Sequence, residues 1–349
     1  MAIKFIEGFD AYGTSNGSAP LGLSEVWSGG ADIVNFTVQN GRLGSGKSIE
    51  IKRSSGTPIV TTPNLGNLAT WYIGLGFKPQ VAINGEVLLQ LREDDDATLG
   101  VNLLMNSGGT ISVRRGTTVL GTSAAVISTG LWHNIELYVL VHNSTGAYEL
   151  KVNGVSVLSA SGVDTRAGTT NDYANRVRLS GPVGGANTGY LIDDFRVNDD
   201  SGSAPNNTWL GDRKVITLFP TAEGDTNNFT PQSGTDNALM VDESGMDSDT
   251  TYVESAVSND RDLYQVTDLS DVTTINAIQH NIICRKTDVT DFTIEPVSKT
   301  GSTTDVGSGQ TVGSTSFSNK YRIQETDPDT GVAWTDGGLD AAQFGYDVG

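Results

Sequence analysis

The sequence predicts an all-β chain built of two β-sandwich domains, and three observations carry that prediction. Glycine is abundant at 42 residues and methionine sparse at 4, within a Thr-, Ser-, Val- and Asn-rich composition that weakens helices and favours strands joined by tight turns. Short segments alternate apolar and polar residues with the period of a half-buried strand. At 349 residues the chain can form two cores of ordinary domain size, about 100–200 residues each.

In chain order the alternating segments are DIVNFTVQN, KSIEIKR, EVLLQLR, TISVRRG, NIELYVLVH, YELKVNGVSVLS, NRVRLSG and YLIDDFRVN. Turn pairs separate them at Asn40-Gly41, Asn84-Gly85 and Asn153-Gly154, where both residue types accept the positive φ of a type I′ hairpin turn. Glycine or proline interrupts every candidate helix in residues 1–200. The stretch NDDSGSAPNNT, residues 198–208, has linker composition, so the domains are expected at 1–200 and 209–349. The second half resumes with RKVITLFP, TTYVES, RDLYQVTDL, TINAIQHNIICRK, DFTIEPVSK, KYRIQETD and AQFGYDV. Residues 299–320 read as a Gly/Ser/Thr loop, and the segment from Trp334 as one helical turn before a final strand.

Formal net charge is -19. Residues 1–200 carry 14 Lys+Arg against 18 Asp+Glu, net -4, and residues 201–349 carry 8 against 23, net -15. This balance excludes wrapping of nucleic acid, which needs clustered Lys and Arg, and equally excludes attraction to anionic membranes. The single cysteine, Cys284, excludes an intramolecular disulfide and reads as a buried structural thiol. No segment has the apolar length of a signal peptide core or a membrane span, so the expectation is a chain made and folded in a cytoplasm, with no membrane insertion.

Chemistry-bearing patterns are few. GRLGSGKS supplies Gly41, Gly46, Lys47 and Ser48 in the phosphate-loop formula, but that loop must open a helix whose amides meet the phosphates; the alternating SIEIKR that follows predicts a strand. His133, His142 and His280 accompany no nucleophile elbow, and the first two sit at opposite ends of one strand. Asp193 and Asp194 are adjacent in a strand, so they are expected on opposite faces, leaving at most one in any cleft. The acidic turn at Glu93, Asp94, Asp95 and Asp96 is expected to cap a hairpin. No catalytic residue and no cofactor is assigned. Calcium is the one metal considered, with Asp242, Glu243, Asp247 and Asp249 as candidate oxygen ligands. Trp27 and Tyr173 are the candidate sugar-stacking residues, and Trp71 in TWYIGLG reads as core.

Residues 1–200 resemble the concanavalin A-like, laminin-G-like jelly rolls, on EGFDAYG, NGRLGSGKSIEIKR, WYIGLGFKP, GLWHNIELYVLVHNSTGAYELKVNGVSVLS and the closing GYLIDDFRV. The remainder, from GDRKVITLFP to AAQFGYDV, resembles a C-terminal module of tailed-bacteriophage virion structural proteins that follows such a jelly roll. The combined resemblance implies a non-enzymatic component of a virion surface, a capsid decoration or a tail or head fibre. Its partners would be other capsid or tail proteins, and a homo-oligomer, a trimer by family habit, is implied. The virion would assemble in the bacterial host cytoplasm. The alternative is a lectin-like, carbohydrate-binding adhesin module that contacts host surface glycans.

Overall fold

The computed structural model describes the chain apart from residues 14–18, 53–55, 94–98, 167, 169 and 184–188. Nearly all regular structure is antiparallel β, as expected. Two compact units divide the chain, Met1–Ile216 and Thr217–Gly349.

The first unit is a sandwich of two sheets. One sheet runs, in spatial order, Val155–Val163, Gly146–Val152, His133–Leu140, Thr70–Pro79, Tyr190–Asn198, Lys47–Ile51 and Phe36–Asn40, with Ile3–Glu7 also pairing with Tyr190–Asn198. The other has seven strands: Thr118–Thr122, Ile111–Arg115, Leu99–Met105, Glu86–Arg92, Arg176–Ser180, Ile59–Thr61 and Gly29–Ala31. The core follows from alternation. Trp71, Ile73, Leu75 and Phe77 of the first sheet are at most 2% exposed, and so are Leu89, Leu91, Val101, Leu103, Val177 and Leu179 of the second. Burial of such side chains supplies roughly 1.5–3 kcal/mol each. The hairpin read at Asn153-Gly154 is present, with φ of 51° and 78° at its two turn residues.

The expected linker is not one. Asn198 Nδ2 donates to the carbonyls of Asn206 and Thr208 at 2.7 and 2.8 Å, and Trp209 packs edge-on against Tyr72, ring centroids 5.4 Å apart. Lys151 Nζ lies 3.8 Å from the centre of the Trp209 ring, a cation–π contact. The unit boundary therefore falls after Ile216 and not within 198–208. Of RKVITLFP only the last residue joins a ladder, the strand beginning at Pro220, and Val215 N donates to the Asp194 carboxylate at 2.7 Å instead.

The second unit is a six-stranded sheet ordered Pro220–Asn227, Arg261–Val266, Gln343–Val348, Phe292–Thr300 and Thr303–Val306, with Gln310–Val312 also on Phe292–Thr300, accompanied by the two-stranded ribbon Ile278–Cys284 and Ser318–Gln324. The stretch read as a loop at 299–320 is a hairpin arm that returns along its own sheet, pairing Val297 with Val306 and Phe292 with Val312. Its Thr residues suit a pleated surface despite the lack of apolar periodicity. The helical turn is present at Asp336–Asp340, capped by Thr335 Oγ1, which accepts from Gly338 N at 3.1 Å. Trp334, Leu339, Ala342 and Phe344 form one core cluster; Ile282, Ile294 and Val312 form another, against which Cys284 packs. Burial pushes the Cys284 thiol up to about 11.

Candidate functional site

Each sheet of the first unit has an outer face, and the two differ in what occupies them. On the eight-stranded sheet the Arg42 guanidinium pairs with Asp194 and Asp212, both at 2.7 Å, and its backbone N–H donates to Asp193 Oδ2 at 2.7 Å. Arg196 donates to Asn134 Oδ1 at 2.9 Å and to the carbonyl of Gly211, while Glu136 Oε1 accepts from Gly211 N at 2.8 Å. Arg42, Asp194, Arg196 and Glu136 are all nearly inaccessible. The strand Thr70–Pro79 makes room for them: a Cβ on Gly74 would lie 2.4 Å from Arg196 Cζ, and one on Gly76 would lie 2.9 Å from Arg42 Cδ. The part of this face around Arg42, Glu136, Asp194 and Arg196 is thus closed by the chain itself, through residues 209–215.

Both Asp193 and Asp194 serve this one face, against the expectation from strand alternation. The register shifts between Asp193 and Arg196, and Asp194 has φ of 51°. Such a bulge swings the second carboxylate back beside the first. Burial and the adjacent Asp194 charge push Asp193 up to about 7.

The outer face of the seven-stranded sheet carries a polar row set by strand register. Thr61 pairs with Arg178, Arg178 with Gln90, Gln90 with Asn102 and Asn102 with Arg114. Five adjacent strands place these side chains over a span of about 19 Å at the usual inter-strand spacing. Arg176 pairs directly with Arg92 one step along. Leu89, Leu91, Val101, Leu103, Val113, Val177 and Leu179 alternate with these residues and fill the core, so the row points outward.

Three atoms of this row lack hydrogen-bond partners although they are shielded from solvent: Gln90 Oε1, Asn102 Oδ1 and Arg114 Nε. Asn102 is 2% exposed; its Nδ2 donates to the Gly116 carbonyl at 2.9 Å, which fixes the amide with Oδ1 left over. Arg114 gives one terminal N–H to the Thr117 carbonyl at 3.0 Å. Arg178 Nε lies 3.4 Å from Thr61 Oγ1, and Arg176 reaches the Thr62 carbonyl at 3.1 Å. A shielded, unpartnered polar atom costs about 1–3 kcal/mol.

The residues picked from sequence fall elsewhere. Trp27 is 1% exposed, stacked on Phe9 at 6.1 Å with its indole N–H donated to Tyr12 at 3.0 Å, so it offers no face to a sugar. Trp71 is core, as read. Tyr173 is half-buried and lines a small pocket with Arg92, Glu93, Gly100 and Thr165 at the end of the sandwich. The calcium candidates do not gather into one set of ligands: Glu243 and Asp247 both lie within hydrogen-bonding reach of Thr251 Oγ1, while Asp249 pairs with Arg285 at 2.8 Å. Among the described residues no group of three or more His, Cys, Asp or Glu is disposed to hold a metal ion. Of the acidic turn, Glu93 is buried and accepts from Asn171 Nδ2 at 2.8 Å; residues 94–96 lie outside the described residues. His133 binds Ser128 N at 3.0 Å, and His142 Nδ1 accepts from Ser144 N at 3.1 Å, each holding a loop. The phosphate-loop lookalike joins Phe36–Asn40 to Lys47–Ile51 as a hairpin, so a strand follows it. Among the described residues no helix is long and apolar enough to cross a membrane.

No family model and no curated relative matches the chain. Solved structures with similar sandwiches include an endo-β-1,4-glucuronan lyase from the fungus Trichoderma reesei, 15% identical, covering 56% of this chain and 95% of that one at a TM-score of 0.40. Carbohydrate-binding module CBM66 from Bacillus subtilis is 9% identical, covers 47% and 92%, and scores 0.33. Domain 4 of an extracellular arabinanase from Geobacillus stearothermophilus, in complex with arabinotriose, is 17% identical, covers 57% and 92%, and scores 0.38. Likeness at this level assigns no ligand or activity to this chain.

Proposed function

We propose that the chain is a lectin-like, carbohydrate-binding module whose glycan lies along the outer face of the seven-stranded sheet. The observation that carries this reading is the row Thr61, Arg178, Gln90, Asn102 and Arg114, hydroxyl, amide and guanidinium groups that strand register lines up across five strands on one face. Amide and guanidinium groups fixed on a sheet match the alternating donors and acceptors of sugar hydroxyls. The row consists of Thr, Arg, Gln and Asn, none of which exchanges a proton near neutrality, and this favours binding over acid–base chemistry. The sequence resemblance of residues 209–349 to virion modules supports placing the binding face on a phage surface, held there by protein contacts and turned towards host glycans.

The test is a glycan array probed with the purified chain, followed by titration of the best ligand against Gln90→Ala. Binding weakened at least about tenfold, with the thermal transition preserved, supports the reading. Absence of binding across neutral and acidic glycans contradicts it.

A further inference from the structure

On one side of the first sandwich both sheets end in strands without a charged side chain. Val155–Val163 is the edge of the eight-stranded sheet and has nine residues; Thr118–Thr122 is the edge of the seven-stranded sheet and has five. The two strands are neighbours, since a Cβ on Gly121 would stand 3.1 Å from Leu158 Cδ1. Asp, Glu, Lys and Arg make up 18% of the chain, yet none occurs in either strand. Val119 and Val155 are 56% and 65% exposed there. Among the described residues, Val155–Val163 hydrogen-bonds only along its ladder with Gly146–Val152, which leaves the N–H and C=O groups of alternate residues directed outward. By contrast, the edge strand Pro220–Asn227 of the second unit carries Pro220, Glu223 and Asp225, residues of the kind that blunt edge pairing.

We infer that this edge is the interface for a second copy of the chain, paired antiparallel through Val155–Val163 into one continuous sheet. An unprotected strand edge is a template for another strand, and charge selects which one. Two copies of net charge -19 repel wherever acidic surfaces meet, whereas a basic partner is drawn to those surfaces and not to an uncharged edge. With a Debye length of about 8 Å at physiological salt, the uncharged edge is where two copies can meet. A two-fold axis through Ser159 pairs all nine residues, Val155 opposite Val163, over a length of about 30 Å. The ladder within each copy shifts register near both ends of this strand and runs regularly from Leu158 to Ser161, so the regular stretch stands at the axis. Such an isologous pair closes at two copies, where the sequence resemblance implied three. The axis is normal to the sheet, so the seven-stranded sheets of the two copies face the same way. On the reading that their outer faces bind glycans, the pair presents two sites to one surface and gains avidity through effective concentration.

Analytical ultracentrifugation of the full chain, without glycan, tests this. The inference expects a dimer of twice the 36.8 kDa chain mass, with a dissociation constant of about 1–100 μM that tightens as added salt screens the net charge. Ser159 is exposed, so Ser159→Lys and Ser159→Glu should melt as wild type. Each should weaken the dimer at least about threefold by setting like charges opposite one another across the axis. Mixing the two variants should restore it, because an ammonium then faces a carboxylate. A monomer at about 100 μM, a trimer, or a dimer indifferent to both variants overturns the inference. A mixture that associates no better than either variant alone overturns the axis at Ser159. Because no glycan is present, failure here leaves the carbohydrate-binding reading standing, and a glycan array without hits leaves the dimer standing.

Discussion

Gly74 lies directly beneath the Arg196 guanidinium, so close that a Cβ there would stand 2.4 Å from Arg196 Cζ. That guanidinium is held by Asn134 Oδ1 at 2.9 Å and by the Asp194 carbonyl at 3.1 Å, bonds that a displacement would break. Gly74→Ala is expected to destabilise the first unit by about 1–3 kcal/mol through overpacking. A denaturant midpoint equal to wild type would show that Arg196 moves aside at no cost.

Asp194 neutralises Arg42 where both are buried, at 2.7 Å, and it occupies a positive-φ position. Asp194→Ala leaves Arg42 with the exposed Asp212 as its remaining ion-pair partner and is expected to lose about 3–5 kcal/mol. Asp194→Asn adopts the same backbone and keeps an acceptor, so it should lose less. Equal losses from the two variants would mean that the retained acceptor and backbone preference contribute nothing and that the charge accounts for the whole loss.

The first unit should be less stable at pH 8 than at pH 5. Burial pushes Glu7 up to about 7 despite its 2.6 Å hydrogen bond from Tyr12, and Asp193 also rises to about 7. Between about pH 4 and 7 the folded unit holds protons that the unfolded chain has released, so stability falls as pH rises through that window. Glu7→Gln and Asp193→Asn should each flatten the decline. Urea midpoints that rise from pH 5 to 8 in wild type would contradict the assignment.

Residues 201–216 belong to the first sandwich, and truncation can show it. A fragment ending at Ile216 should fold cooperatively, because Trp209, Gly211 and Asp212 remain to cover Tyr72, Glu136, Arg196 and Arg42. A fragment ending at Asp200 strands those buried charges and should be markedly less stable. Equal melting temperatures for the two fragments would restore the boundary to 198–208.

Alternation and turn chemistry made the sandwich legible: EVLLQLR and NRVRLSG display their inward leucines and valines openly, and Asn153-Gly154 marks its hairpin. The glycine pair in TWYIGLG also carried a signal, since two glycines on one face of a strand admit close approach by other groups. Other features were hidden because they depend on tertiary register. Nothing in the separate strands announces that Gln90, Asn102 and Arg114 become neighbours, and the left-handed backbone of Asp194 cannot be read from an Asp-Asp pair. Trp27 misled as a sugar platform because its burial comes from Phe5, Phe9 and Phe195, which are distant in sequence or fixed only by folding. Linker composition at 198–208 masked the apolar anchor Trp209 just beyond it.

The most direct measurement of the central claim compares two variants against the best glycan from the array. Gln90→Ala combined with Asn102→Ala alters the outer row of the seven-stranded sheet, and Gln39→Ala alters an exposed position on the eight-stranded sheet. With melting temperatures confirming that both proteins are folded, the double variant should bind at least about tenfold more weakly while Gln39→Ala binds as wild type. Full affinity in the double variant, or loss confined to Gln39→Ala, would contradict the assignment of the binding face.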